Sequence, residues 1–355
     1  MPDLLNLVLR PLAFLLGLWL VIRIIVSAVK TFVLPRSAPD WITGLVFRST
    51  RQVFNLILLK RGDYLAIDRI MAYFAPVSLL ALLPTWLSLL TMGYAAIYWS
   101  SGAQSWLHAF RISGSSLLTL GYESGKNILL TFIEFTEATL GLMLVALLIS
   151  YLPSIYSAFS RRESFVTLLE VRAGNPPSAL EMIQRYHRNH GLEELSNQWE
   201  AWEAWFADLK ESHTSLAALV FFRSPHPSHS WVTASGTILD AASLALSSLD
   251  IPYDPHAALC IRSGYLALRS IADFFRIPYN PDPFFPQEPI SISQEEFEQT
   301  LDRLAESGVP LKANREQAWR NFAGWRVNYD RVVLALVKLT MAPPAPWTGE
   351  RSYRV

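Results

Sequence analysis

Hydrophobic and polar positions divide the chain into two parts of different character. Before about residue 160, three long apolar runs alternate with short polar connections; beyond it, apolar positions recur at helical spacing among many charges. A helix needs about 20 apolar residues to cross the hydrocarbon of a bilayer. The first run, Pro11 to Val29, is interrupted only by Arg23, and the second reaches from Ile70 to about Ser100 without a charge. The third, Ala138 to Ser160, is equally uncharged, and its helix is expected to start nearer Asn127. The head of the first run carries Asp3 and no small-residue cleavage site follows, so the pattern predicts a span and not a cleaved signal peptide. Asp40 to Arg61 mixes Trp41, Leu45, Val46, Phe54, Leu56, Leu58 and Leu59 with Arg48, Arg51, Lys60 and Arg61. Too charged to span and too apolar for a free loop, it predicts an amphipathic helix lying in the membrane interface.

The second part reads as helical. Ser178 with Glu181, and Ser293 with Glu296, have capping-box spacing, and the second of these helices is expected to stop near Gly308 and Pro310. Trp199, Trp202, Trp205, Phe206 and Leu209 share one helix face, as do Trp319, Phe322 and Trp325; both stripes read as core or subunit contact before ligand cage. A connector from Pro278 to Pro289 divides the region, and 342–355 reads as a flexible tail. The expected organisation is therefore 1–65 (first span and interfacial helix), 66–160 (the remaining membrane part), 161–341 (a helical water-soluble domain) and 342–355.

Composition sharpens this division. The 355 residues are 51% apolar and 17% charged, against about 25% charged in an ordinary soluble domain. Residues 1–160 hold 11 Lys and Arg against 7 Asp and Glu, and residues 161–355 hold 19 against 23. The formal net charge of zero and the lack of a basic stripe argue against nucleic acid as a partner. Cys260 is the only cysteine, which excludes an intrachain disulfide and a cysteine-based zinc site. The connection at 35–69 carries Arg36, Arg48, Arg51, Lys60, Arg61 and Arg69, that at 101–126 only Arg111 and Lys126, and Arg161 and Arg162 follow the third run. The positive-inside rule then predicts an external N-terminus and a cytoplasmic C-terminal domain in a plasma (cell inner) membrane.

The connection at 104–124, QSWLHAFRISGSSLLTLGYES, is too apolar for an exposed loop and too short to cross and return. A helix of roughly 13 residues followed by an extended segment fits it as a re-entrant hairpin, which is tolerated at membrane depth only where it is buried or lines water. The segment ends Thr119-Leu120-Gly121-Tyr122-Glu123. Span, short helix, Thr-Leu-Gly-Tyr and second span together resemble the pore module of tetrameric potassium channels over residues 66–160, less than half the chain. The resemblance implies an all-α membrane protein, with three transmembrane helices, a re-entrant pore helix and filter, and an all-α cytoplasmic domain. It implies a homotetramer whose carbonyls at Thr119, Leu120, Gly121 and Tyr122, with the Thr119 hydroxyl, replace the water shell of a monovalent cation. Potassium is then the conducted ion and no cofactor is expected; the partners are further copies of the chain and membrane lipid.

Four departures from the family pattern bear on selectivity. Glu123 replaces the second filter glycine, Ser124 the following aspartate, Leu118 the usual threonine, and Ser115 the glutamate often found behind the filter. Cation conduction is compatible with these changes; strict preference for potassium over sodium does not follow from them. Four copies of Glu123 would set an acidic ring at the mouth. Glu134 and Glu137, one turn apart in the third run, are either functional intramembrane carboxylates or filter supports bonded to Ser113, Ser115 or Ser116. Gly141 and Pro153 mark the expected hinge and gate, near Ile149 to Tyr156. No arginine repeat of the voltage-sensing kind occurs in any run, and no Gly-x-Gly-x-x-Gly nucleotide signature is present. His187 with His190, and His226 with His229, read as surface histidines. A membrane-tethered sensor or enzyme, or a non-conducting scaffold subunit, are the other classes these features allow.

Overall fold

Long uncharged runs and 3.6-residue periodicity each give helices, and in the computed structural model regular structure is helical throughout residues 2–34, 40–59 and 63–348, of which 2–7 are described by backbone alone. The one exception among them is an antiparallel bridge between Leu249 and Leu311. In chain order the helices are α1 (Pro2–Phe32), α2 (Trp41–Leu58), α3 (Tyr64–Met71), α4 (Phe74–Ser100), α5 (Trp106–Leu117), α6 (Ile128–Ala173) and α7 (Ala179–Arg188). There follow α8 (Leu195–Ser215), α9 (Trp231–Ser248), α10 (Pro255–Phe274), α11 (Gln294–Glu306), α12 (Arg315–Arg326) and α13 (Asp330–Thr340). Three stretches, Val8–Phe32, Tyr64–Ser100 and Ile128–Ala173, are long and apolar enough to cross a membrane, as expected of a multi-pass membrane protein. Two units emerge: Met1–Arg61 with Ala72–Tyr156, and Gly62–Met71 with Ser157–Val355.

In the first unit α1 packs along α4. Small residues allow the close approach: a β-carbon on Gly17 would lie 2.5 Å from the Gly93 carbonyl oxygen. The Asp40 carboxylate caps α2 by accepting from the amides of Ile42 and Thr43 at 3.0 and 3.1 Å, and also accepts from the Ser27 hydroxyl of α1 at 2.6 Å. Trp86 of α4 donates to the same hydroxyl at 3.1 Å, so one serine joins three elements. Ile42, Val46, Phe54 and Leu58 of α2 are buried, while Trp41, Leu45, Leu56 and Ile57 are exposed near Arg48. The expected interfacial helix therefore has a protein-facing apolar side and an outward one.

The second unit is built around α9, whose side chains are buried almost end to end beneath α7, α10, α12 and α13. The tryptophan stripe of α8 is core: Trp199, Trp202, Trp205, Phe206 and Leu209 are all buried, and α8 packs on α10. Arg326 is buried and satisfied by Asp240, by Asp330 at 2.8 Å and by the Trp347 carbonyl at 2.8 Å. Burial pushes the Asp240 carboxyl upward, and the Arg326 guanidinium opposes that shift. A buried charge of this kind persists only with its partners in place.

Four expectations change. The first unit joins the N-terminal elements to 72–156, while 63–71 pack with the second unit through an ion pair of Asp68 with Arg223, so the chain does not divide at the expected 65/66. The third helix runs on to Ala173, because nothing at Ser160 breaks it. Residues 342–348 of the expected tail are packed: Ala342, Ala345 and Thr348 are buried and the Trp347 ring lies tilted 5.5 Å from that of Phe322, while 349–355 lie outside the described residues, as do Arg36, Lys60 and Arg61. Ser178 makes no side-chain cap bond, since Glu181 turns to Arg185 at 2.7 Å; the Ser293–Glu296 capping box forms.

His213 on α8 is buried beside Arg162, 3.2 Å from its guanidinium, with Ser212 on its other nitrogen at 3.2 Å and the Trp231 ring at 4.8 Å. Burial first, and Arg162 second, hold its imidazole well below the ordinary 6.5, so it folds neutral. Below about pH 6.5 the unfolded chain binds a proton that the folded one refuses, so stability is full above that pH and lost as pH falls, by ~1.4 kcal/mol per pH unit until the folded pKa is reached. Tryptophan-monitored unfolding midpoints should drop between pH 7.5 and 5.5, and His213→Gln should flatten the drop; an equal slope in the variant would contradict this.

Candidate functional site

The candidate site lies where α5 ends between α4 and α6. Ser105 starts α5 by accepting from the His108 amide at 3.2 Å. The helix packs along α4 and buries Ala109, Ile112, Ser113, Ser115 and Leu117. It stops at Leu118, where Thr119 takes a positive φ of 54° and Gly121 one of 68°. A left-handed non-glycine is costly, whereas Gly121 adopts the same region freely.

This reversal wraps 119–123 back onto Ser115. Its carbonyl accepts from the amides of Leu120 at 2.8 Å and Gly121 at 3.4 Å, and its hydroxyl accepts from the Glu123 amide at 3.0 Å. Residues of opposite handedness in succession turn neighbouring peptide planes the same way, collecting N–H groups on one side of a turn. Here that side is spent on Ser115. Among the described residues, no donor reaches the carbonyls of Thr119, Leu120, Gly121 or Tyr122. Three amides of the turn are thus held by Ser115, and that of Thr119 by the Ser116 carbonyl at 3.0 Å, while the four carbonyls are unused within the described residues. Leu120 and Tyr122 are exposed in the single chain, at 61% and 59%.

Behind the turn sits Glu137, fully buried. Its carboxylate accepts from the Ser113 hydroxyl of α5 at 2.5 Å and from the Tyr98 hydroxyl of α4 at 2.9 Å, so one α6 side chain holds both neighbours. Tyr94 and Thr136 join their hydroxyls at 3.1 Å one turn away. Glu134 works on the same support. Its side chain accepts from the Gly125 amide, and its carbonyl accepts from the Ser116 hydroxyl at 2.8 Å. Gly125 has no room for a side chain, since a β-carbon would lie 2.3 Å from that of Leu130.

The structure brings Ser115, Glu134 and Glu137 together around 119–125, in the bracing arrangement. Gly141 also belongs there: a β-carbon would meet Leu117 at 2.7 Å, so this glycine seats the end of α5 on α6. Pro153 lies further along the same uninterrupted helix. Glu123 turns to His108, with Nε2 3.3 Å from its carboxylate, and Ser124 is exposed. Tyr98, Tyr94 and His108 were not singled out from the sequence. A hydroxyl within an otherwise apolar run was the available signal for the two tyrosines; nothing local marks His108.

Phe132, Phe135, Leu142, Ile149 and Tyr156 of α6 are all exposed. Phe135, Leu142, Ile149 and Tyr156 recur every seventh residue, the spacing of a helix-crossing seam. No family model, curated protein or solved structure matches this chain.

Removing the shared acceptor should loosen three helices together. Glu137→Ala strands the buried Tyr98 hydroxyl, at about 1–3 kcal/mol, and leaves Ser113 only the Thr91 carbonyl at 3.1 Å. It should lower the thermal midpoint of the full chain in detergent clearly more than Glu137→Gln, which keeps a polar partner for both; equal midpoints would remove Glu137 from its bracing role.

Proposed function

We propose that the chain is the subunit of a homotetrameric cation channel of the plasma membrane, with 119–122 as its filter. The observation that carries this reading is the turn with the Leu120, Gly121 and Glu123 amides held by Ser115 and the four carbonyls of 119–122 unused within the described residues. Ion permeation across hydrocarbon requires oxygens that replace the hydration shell at little reorganisation cost. Four such turns around one axis would supply stacked rings of carbonyls, with the Thr119 hydroxyl at the inner end. Rigidity matters, because a floppy ring would collapse onto a smaller ion; Glu137, Glu134 and Ser115 provide the bracing. Exposed Leu120 and Tyr122 are apolar surface that a neighbouring copy would cover.

Potassium is the proposed ion, with relaxed selectivity following from Glu123 in place of the outer glycine. Its carboxylate faces His108 of its own chain, which tempers the acidic ring expected at the mouth. The exposed α6 stripe supplies the seam along which four inner helices would approach, narrowing at Ile149 to Tyr156. The helical second unit is the proposed cytoplasmic regulator, acting through its different affinities for closed and open states. The basic 35–69 connection supports placing it inside.

Purified protein in liposomes should take up rubidium or thallium, and native mass measurement should return four copies. Gly121→Ala, which forces an alanine into a left-handed conformation costing ~1–2 kcal/mol, should abolish uptake without dissociating the assembly. Glu123→Gly should raise the potassium-to-sodium ratio. Uptake unchanged in the Gly121 variant, or a monomeric chain, would reject the assignment.

A further inference from the structure

One short segment of the second unit holds the two helices that continue into the candidate pore. Residues 219–223 comprise the end of the 3-10 turn Ala217–Phe221 and the two residues after it. On one side lies Arg162 of α6, buried, donating to the carbonyls of Leu219 at 2.9 Å and Phe222 at 2.7 Å. On the other, Arg223 reaches α3. It pairs with Asp68 and donates to the Tyr64 hydroxyl at 3.2 Å, and Tyr64 donates to the Pro227 carbonyl at 3.3 Å. The second Arg223 amino group donates to the carbonyls of Thr340 and Met341 at 2.9 and 2.7 Å, at the end of α13. Cations are favoured at a helix C-terminus, where carbonyls lack intrahelical partners. The side chains of Arg223 and Asp68 are only 9% and 11% exposed, so this pair is screened little by solvent.

The chain connectivity makes this arrangement consequential. Two residues separate α3 from α4, and Arg162 belongs to α6 itself. The segment is therefore bonded to the element preceding one membrane helix and to the continuation of the other. Arginine suits the junction because its rigid planar fork aims separate N–H groups at acceptors on opposite sides, where lysine offers one compact charge.

We propose that 219–223 is a coupling clasp: it holds α3 and the distal part of α6 as one mechanical body, so that rearrangement of the helical domain is delivered to both pore helices together. Arg223 and Arg162 are positioning residues in this scheme and touch no ion. The scheme rests on the channel reading for its consequence, though not for the clasp itself.

The test uses full-length protein in liposomes, with hydrogen exchange and rubidium uptake measured on the same preparations. Arg223→Gln should accelerate amide exchange across 64–71 by about tenfold or more while leaving α9 and α10 protected. Arg223→Lys should fall between, and the swap Asp68→Arg with Arg223→Asp should restore part of the protection. Uptake should change at least threefold in Arg223→Gln and move back towards wild type in the swap. Unchanged exchange at 64–71 would overturn the clasp outright. Faster exchange with unchanged uptake in a conducting protein would overturn the coupling. A wild-type protein that conducts nothing would reject the channel reading and with it the coupling, while the exchange data still decide the clasp. Should Arg223→Gln unfold the domain, with α9 and α10 also exchanging, Asp68→Asn decides by the same exchange criterion.

Discussion

Burying a carboxylate among apolar helices is tolerable only while hydrogen-bond donors converge on it, and the first unit depends on this condition at Glu137. Tyr98 comes from α4 and Ser113 from α5, and the two meet on a side chain of α6. The cost of desolvating the carboxylate is offset only when all three helices are in register. One interaction thus sets the depth of α5 between its neighbours, and the reversal at Thr119 starts from wherever α5 ends. Gly141 repeats the constraint sterically by letting Leu117 sit against α6.

The second unit uses buried charge differently. Arg326 is enclosed by Asp240, Asp330 and a carbonyl from 347, which draws the chain end onto α12. Arg162 is enclosed by carbonyls of an irregular segment and by His213. In both places a guanidinium satisfies backbone that no helix would satisfy, which is how loops 219–223 and 342–348 become ordered parts of the core. An apolar residue at either position would take these donors from the Phe222 and Trp347 carbonyls, and leave the Leu219 carbonyl only the Phe222 amide at 3.1 Å.

How much of this could be read beforehand follows from the range of the forces involved. Spans, the amphipathic α2 and the tryptophan face of α8 are local periodicities, and each was recoverable from spacing alone. Glu134 and Glu137 were recoverable as carboxylates within an apolar run, and Ser115 because the pore-module resemblance aligned it. Tyr98 and His108 were not, since their partners lie 39 and 15 positions away and nothing local points to those partners. The tail at 342–348 looked loose because proline and small residues suggest a linker; it is held by Arg326 and Phe322, from helices that composition cannot associate with it.

Residue order was enough for the helical class, the three apolar spans and the division into a lipid-compatible and a water-compatible part, since hydrophobic burial acts on each segment through its own composition. It also placed a glycine where a left-handed turn was needed. The grouping of α3 with the second unit, the convergence of three hydroxyl-bearing helices on Glu137 and the spending of three amides on Ser115 were settled by folding in three dimensions. Each is a polar contact between distant positions, worth having only after apolar packing has removed water, and no single segment carries that information.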